Sequence, residues 1–256
     1  MVITSCQNTK IKDLIALETK SRERRARGLF VVEGVREYER ACASGFETET
    51  LFVREDVDYP GLPQPDFLIS KEAYEKIAYR GGTEGIVAVM RAREQTLETL
   101  VLSASPLVLV LEQVEKPGNL GAVLRSADAA GADAVLICDP LTDIYNPNVI
   151  RASLGAVFSV PVVSCSSEEA CAWLKARGIA ILTAQLQDSE LYYDTDMVRP
   201  TALVFGTEDK GLSPFWRKQA DAHIRIPMAG MMDSLNISVS AAILAFEAVR
   251  QRSQRR

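Results

Sequence analysis

A chain of 256 residues, 47% hydrophobic and 25% charged, has room for one large or two modest globular domains and is neither a disordered nor a collagen-like polymer. Five cysteines with no CxxC pair argue against a zinc site and a disulfide framework, so a reducing, cytoplasmic setting is expected. A net charge of −5 excludes a uniformly basic nucleic-acid binder, although KSRERRARG gathers Lys20, Arg22, Arg24, Arg25 and Arg27 around one acid and the chain ends RQRSQRR.

The opening MVITSCQNTKIKD is polar, and the longest aliphatic stretch, LVLVL from Leu107, is far too short for a bilayer span, so neither export nor membrane insertion is expected. Ile11, Leu14, Ile15 and Leu17 fall mainly at helical spacing, and the basic run behind them predicts a helix that presents its cations at its end. LFVVEG predicts a strand, VREYERACASG a helix closing on Gly45, ETLFV a strand, KEAYEKIAY a helix and GIVAVM a strand. These elements make a small α/β module over residues 1–95. The alternation lapses in AREQTLETLVLSASP, which predicts a linker over 96–106.

The second module, 107–256, reads as LVLVLEQ (strand), NLGAVLRSADAAG (helix), AVLIC (strand), NPNVIRASLGA (helix), VFSVPVV (strand) and SEEACAWLKARG (helix). IAILTA and ALVFG (strands) and NISVSAAILAFEAVRQR (helix) complete it. Such alternation implies a mostly parallel sheet with helices on both faces.

Ligands of such sheets gather beyond the carboxyl ends of the strands. EKPGNLGAVLR puts Asn119 and Arg125 there, FGTEDKGLS puts Gly206 and Glu208 there, and IPMAGMMDSLN puts Ser234 and Asn236 at the entry to the last helix. Taken singly, Asn119, Ser234 and Asn236 also read as helix caps and Arg125 as a surface cation. Gly206 and Gly211 have phosphate-loop spacing, but Lys210 precedes Gly211 instead of following it, which speaks against a nucleotide triphosphatase. No GxGxxG follows a strand, Ser234 lacks a GxSxG elbow, and the single histidine, His223, supports neither a histidine-based hydrolase nor a histidine metal site; no metal is expected.

In this order, NLGAVLRSADAAG, FGTEDKGLS and IPMAGMMDSLNISVSAAILAFEAVR resemble the three signature motifs of the TrmH (SpoU) branch of the SPOUT methyltransferases. ITSCQNTKIKDLIALETKSRERRARGLFVVEG resembles the small RNA substrate-binding domain that precedes the catalytic domain in many members. The resemblance implies a C-terminal SPOUT domain with a deep trefoil knot, a feature no periodicity reveals. It also implies a homodimer whose interface completes the active site.

By the same resemblance, Gly206, Ile226 and Leu235 hold S-adenosyl-L-methionine, with Thr183 and Met228 nearby. Arg125 matches the family's catalytic arginine, and Asn119, Glu208, Ser234 and Asn236 match its polar partners. A guanidinium stays protonated in water, so Arg125 is expected to hold RNA phosphate and stabilise the developing alkoxide, a literal proton-accepting role staying open. Lys20, Arg22, Arg24, Arg25 and Arg27 are expected to meet RNA phosphates, against the alternative of a solvated helical face. The expected reaction is 2′-O-methylation of structured RNA, ribosomal RNA favoured over transfer RNA. The alternatives are a noncatalytic RNA-binding protein of the same fold and a small-molecule enzyme on this architecture.

Overall fold

The computed structural model describes residues 2–78, 84–207 and 209–254. They form two compact units, one of Met1–Arg93 with Asp143–Ser159, the other of Glu94–Thr142 with Val160–Arg256.

The first unit opens with β1 (Val2–Ile3) and α1 (Thr9–Thr19), whose first turn is capped by Asn8 accepting the Lys10 N–H at 2.9 Å. Ile11, Leu14 and Leu17 form its buried stripe. The helix stops at Lys20, whose backbone is extended, and the basic run forms a separate helix, α2 (Ser21–Arg27), closed by Gly28 at φ 61°. This corrects the expectation of cations displayed at the end of α1. Arg24 turns inward, 4% exposed, and donates to the carbonyls of Leu17 at 2.6 Å and Glu18 at 3.0 Å and to the Asp143 carboxylate at 2.6 Å. The last turn of a helix leaves carbonyls without intrahelical partners, and Arg24 satisfies two of them. It is therefore a structural residue and is removed from the RNA-facing set.

The unit continues with β2 (Leu29–Glu33), α3 (Val35–Ala43), β3 (Thr48–Arg54), β4 (Phe67–Ile69), α4 (Lys71–Ile77) and β5 (Ile86–Arg91). The sheet order is β1-β4-β3-β5-β2, with β5 antiparallel to both β2 and β3 and the other pairs parallel. α1 and α4 pack into its core, where Ile11, Leu14, Phe52, Ile69 and Tyr74 meet.

The second unit begins with β6 (Leu107–Glu112), α5 (Pro117–Ala130) and β7 (Ala134–Cys138). The chain then rejoins the first unit for α6 (Pro147–Ala152) and α7 (Ala156–Ser159), where Tyr145 and Phe158 stack on Phe30 at centroid distances of 4.3 and 5.8 Å. Two readings change here. Residues 143–159 pack with the first unit and not with the remainder of 107–256, and the start of VFSVPVV is a helical turn. Pro161 has no N–H for a ladder, and the strand follows it as β8 (Val162–Cys165).

There follow α8 (Ser167–Ala176), β9 (Ala180–Ala184), β10 (Glu190–Leu191), β11 (Thr201–Phe205), α9 (Pro214–Gln219), β12 (Ala222–Arg225) and α10 (Ile237–Ser253). The seven strands lie in the order β10-β12-β9-β11-β6-β7-β8, and every pairing is parallel. β6, β7 and β11 are buried at every residue, as expected of strands covered on both faces. The order runs outward from β6 to β8 and then jumps to the opposite side of β6, so the carboxyl ends of β6 and β11 flank a topological switch point. The basic C-terminus is partly consumed internally. Arg252 donates to the carbonyls of Ser105, Pro106, Met197 and Arg199, and Arg250 pairs with Glu247 at 2.7 Å.

Candidate active site

The second unit holds a cavity of about 460 Å³ walled by the carboxyl ends of β9, β11 and β12, the turn after β11 and the segment leading into α10. That volume falls in the usual range for small-molecule sites, roughly 300–1,000 Å³. Gly206, Ile226, Met228, Ser234, Leu235 and Asn236 all line it. Two separate motifs of the sequence therefore meet at one cavity.

The turn after β11 has a defined construction. Thr207 and Gly211 exchange backbone hydrogen bonds of 3.2 and 2.9 Å, and the Thr207 hydroxyl accepts the Lys210 N–H at 3.1 Å. Beneath it, the buried Glu112 carboxylate at the end of β6 accepts the Ser213 N–H at 2.8 Å. Trp216 on α9 is fully buried and donates to the Ser167 hydroxyl at 3.0 Å, which in turn donates to Asp139 at 2.6 Å. These bonds tie the turn to three strand ends, a preorganisation that a binding loop requires.

Asn236 caps α10 by accepting the Ser238 N–H at 2.9 Å, and its amide donates to the Asn119 side chain at 3.2 Å. Asn119 sits in the first turn of α5, two residues after Pro117, instead of capping it. It lines a smaller recess with Gln113 and Lys116 that shares Thr207, Asp209 and Ile237 with the main cavity. The Ser234 hydroxyl bonds its neighbour Asp233 at 3.3 Å.

Two expected residues stand apart from the cavity. Arg125 lies further along α5, exposed, and no hydrogen bond or ion pair holds its guanidinium among the described residues. Thr183 is buried on β9 and bonds His223 Nδ1 at 2.6 Å; Ala184, the next residue, lines the cavity in its place. Glu208 lies outside the described residues. Sequence reasoning missed Glu112, the anchor of the turn, and Arg217 and Arg225, which line the cavity. Glu112 was detectable as an acid ending an otherwise aliphatic strand. The two arginines follow no motif.

In the first unit, Lys20, Arg22, Arg25 and Arg27 are exposed around α2. Arg25 bonds Ser21 at 2.7 Å, and Arg27 lies 3.8 Å from Asp13. Among the described residues no helix is long and apolar enough to cross a membrane, and no group of three or more His, Cys, Asp or Glu is placed to hold a metal.

Comparison with known proteins places these motifs in a family. Residues 106–246 match the SpoU rRNA Methylase family, and residues 8–88 match the MRM3-like substrate binding domain. The chain is 31% identical to the 23S rRNA (guanosine(2553)-2′-O)-methyltransferase RlmP of Bacillus subtilis (strain 168) over 95% of this chain and 97% of that one. Its fold is similar to a crystal structure of an RNA 2′-O ribose methyltransferase, with a TM-score of 0.88, 40% identity and coverage of 99% and 100%. It is equally similar to the SpoU methyltransferase AviRb of Streptomyces viridochromogenes in complex with AdoMet, with a TM-score of 0.88, 29% identity and coverage of 96% and 100%. With its family domain spanning more than half its length and a relative matched nearly end to end, the chain belongs to the SpoU rRNA methylase family.

Proposed function

We propose that the protein transfers a methyl group from S-adenosyl-L-methionine to a ribose 2′-hydroxyl of ribosomal RNA, in a cytoplasmic setting, using the cavity between the β11 turn and the α10 approach. The observation that carries this reading is the convergence of Gly206, Ile226, Leu235, Ser234 and Asn236 on that one cavity, with Asn119 bonded to Asn236 at its edge. The cavity suits the cofactor. Its wall combines apolar Ile226, Met228 and Leu235 with cationic Arg217 and Arg225, a chemistry matched to a nucleoside carrying a carboxylate. The C-terminal segment and the β11 turn wall the same space, which supports the trefoil knot as the device that holds them together.

Bound there, S-adenosyl-L-methionine supplies an already activated sulfonium methyl, so the protein's own work is alignment of the 2′-hydroxyl and management of its proton. Asn119 and Asn236, bonded to each other, orient the ribose, and Ser234 adds a hydrogen-bond donor. Arg125 grips the RNA phosphate and stabilises the developing alkoxide, and Glu208 orients Arg125 or the ribose. Arg125 is exposed and does not line its own chain's cavity, which supports a homodimer in which the interface completes the site. The exposed Val239 and Phe246, two turns apart on α10 at 46% and 47% exposure, provide an apolar face for such an interface. Lys20, Arg22, Arg25 and Arg27 meet RNA phosphates from the substrate-binding domain.

The test is incubation with methyl-labelled S-adenosyl-L-methionine and separate pools of ribosomal and transfer RNA, followed by digestion to nucleosides. Label on a ribose from ribosomal RNA is the expected result; label on a base, or on transfer RNA alone, overturns the assignment. Arg125→Ala is expected to cut methylation by about 100-fold or more while cofactor affinity survives. Undiminished turnover removes Arg125 from the mechanism.

A further inference from the structure

Cys138 closes β7 and Cys165 closes β8, and the two are register partners in a parallel pairing. Neighbouring strands lie roughly 4.8 Å apart, and in-register side chains project from the same face. A disulfide needs a Cα separation of about 4.4–6.8 Å, a range that includes the spacing of register partners on neighbouring strands. Cys138 is wholly buried, and Cys165 is partly exposed at the rim of the same apolar cluster.

We propose that Cys138 and Cys165 form a thiol pair that hydrogen peroxide oxidises to an intramolecular disulfide. The two sulfurs have different chemical roles. Cys138 is wholly buried and Cys165 partly exposed, so Cys165 is the sulfur that solvent and peroxide reach, and it ionises the more readily of the two. In the first step the Cys165 sulfur attacks the peroxide, the O–O bond breaks, and Cys165 becomes a sulfenic acid with release of one water. In the second, the Cys138 sulfur attacks the Cys165 sulfur, the S–O bond breaks, and the hydroxyl leaves as a second water carrying the Cys138 proton. Two thiols lose two electrons and the peroxide gains them.

The position couples the pair to the active site. The Cys138 carbonyl accepts the Gln113 N–H at 2.8 Å, directly after Glu112, and the Cys165 carbonyl accepts the Asp139 N–H at 2.9 Å. Asp139 holds Ser167, and Ser167 holds Trp216 behind the β11 turn. A bond that draws the ends of β7 and β8 together therefore pulls on the strand ends that anchor the turn. The other cysteines are placed differently: Cys42 is exposed, Cys6 is partly exposed in the first unit, and Cys171 bonds Gln219 at 3.9 Å.

The experiment treats the folded full-length protein with hydrogen peroxide, blocks free thiols, digests without reduction and maps the cysteine peptides by mass spectrometry. Expected is a cross-linked species joining the Cys138 and Cys165 peptides, lighter by two hydrogens and reversed by a dithiol reductant. Cys138→Ser is expected to stop at an oxidised, uncrosslinked Cys165, and Cys165→Ser to leave Cys138 reduced. Recovery of both wild-type peptides uncrosslinked, at a peroxide dose that fully oxidises exposed Cys42, overturns the proposal. The wild-type map decides the matter even where a serine variant fails to fold, because it requires no substitution.

Discussion

At Gly206 the constraint is steric. A Cβ there would stand 2.2 Å from the Gly211 carbonyl carbon and 2.3 Å from the Leu212 nitrogen, and backbone atoms have no rotamer with which to yield. Gly206→Ala is therefore expected to break the Thr207–Gly211 bridge and weaken S-adenosyl-L-methionine binding by about tenfold or more, read by titration calorimetry on a variant of unchanged circular dichroism. An unaltered dissociation constant would detach the turn from cofactor binding. Arg24 and Arg25 make a second comparison, because adjacent residues of one basic run have opposite fates. Arg24→Ala leaves Asp143 without its ion-pair partner and two helix-end carbonyls without a donor in a buried setting, with an expected cost of about 3–5 kcal/mol by chemical denaturation. Arg25→Ala is expected to stay within about 0.5 kcal/mol. It is also expected to lower the slope of log affinity for RNA against log salt by about one. Equal stability losses in the two variants would refute this division of roles. Composition cannot distinguish the two arginines, because the inward turn of Arg24 is fixed by partners at positions 17, 18 and 143.

Between elements, the end of α1 carries a strongly displaced carboxyl. Glu18 shares a cavity of about 300 Å³ with Glu33 and Arg151. Burial, and then the neighbouring Glu33, push its pKa from 4.5 up to about 8, against the pull of Arg151. The folded state thus keeps Glu18 protonated where the unfolded chain has released the proton. The stability tied to this neutral form is complete below pH 4.5 and is lost as pH rises through about 8. Glu18→Gln, which keeps the neutral shape, is expected to gain melting temperature relative to wild type as pH climbs across that window, with no further gain above it. A difference that stays constant with pH would show that Glu18 is solvated. The elements legible in the sequence were those long enough to carry a period: the buried runs of β6, β7 and β11 and the helices α5, α8 and α10. β1, β4 and β10, at two to three residues, are too short to show one, and α9 hides in PFWRKQ between two polar stretches. The break between α1 and α2 at Lys20 has no glycine or proline to announce it. Ser234 and Asn236, which line the cavity, were legible through their motif, whereas Glu112 and the bond from Asn236 to Asn119 depend on which strand ends the topology makes neighbours.

Across the whole chain, the family domain and the packing units do not share boundaries. The matched domain runs unbroken over residues 106–246, yet Asp143–Ser159 within it packs with Met1–Arg93. The interactions that hold this segment are specific. Phe30 stacks against Tyr145 and Phe158, Arg24 pairs with Asp143 at 2.6 Å, Arg151 pairs with Glu33 at 2.5 Å, and Arg40 donates to the Leu154 carbonyl at 2.6 Å. Phe30, Arg24, Glu33 and Arg40 all precede residue 94, so a fragment beginning there removes every one of these partners at once. The sheet of the second unit does not depend on them, since the ends of β7 and β8 are joined through their own register. A fragment of residues 94–256 is therefore expected to retain a folded parallel sheet while residues 143–159 open locally, so that limited proteolysis cuts within that segment about tenfold faster or more than in the full chain. The observable is the position of the first cleavage, read by mass spectrometry at matched protease. Protection of 143–159 in the fragment would mean that the segment is held from within the second unit. A fragment that is degraded throughout would mean that the parallel sheet itself requires the substrate-binding domain.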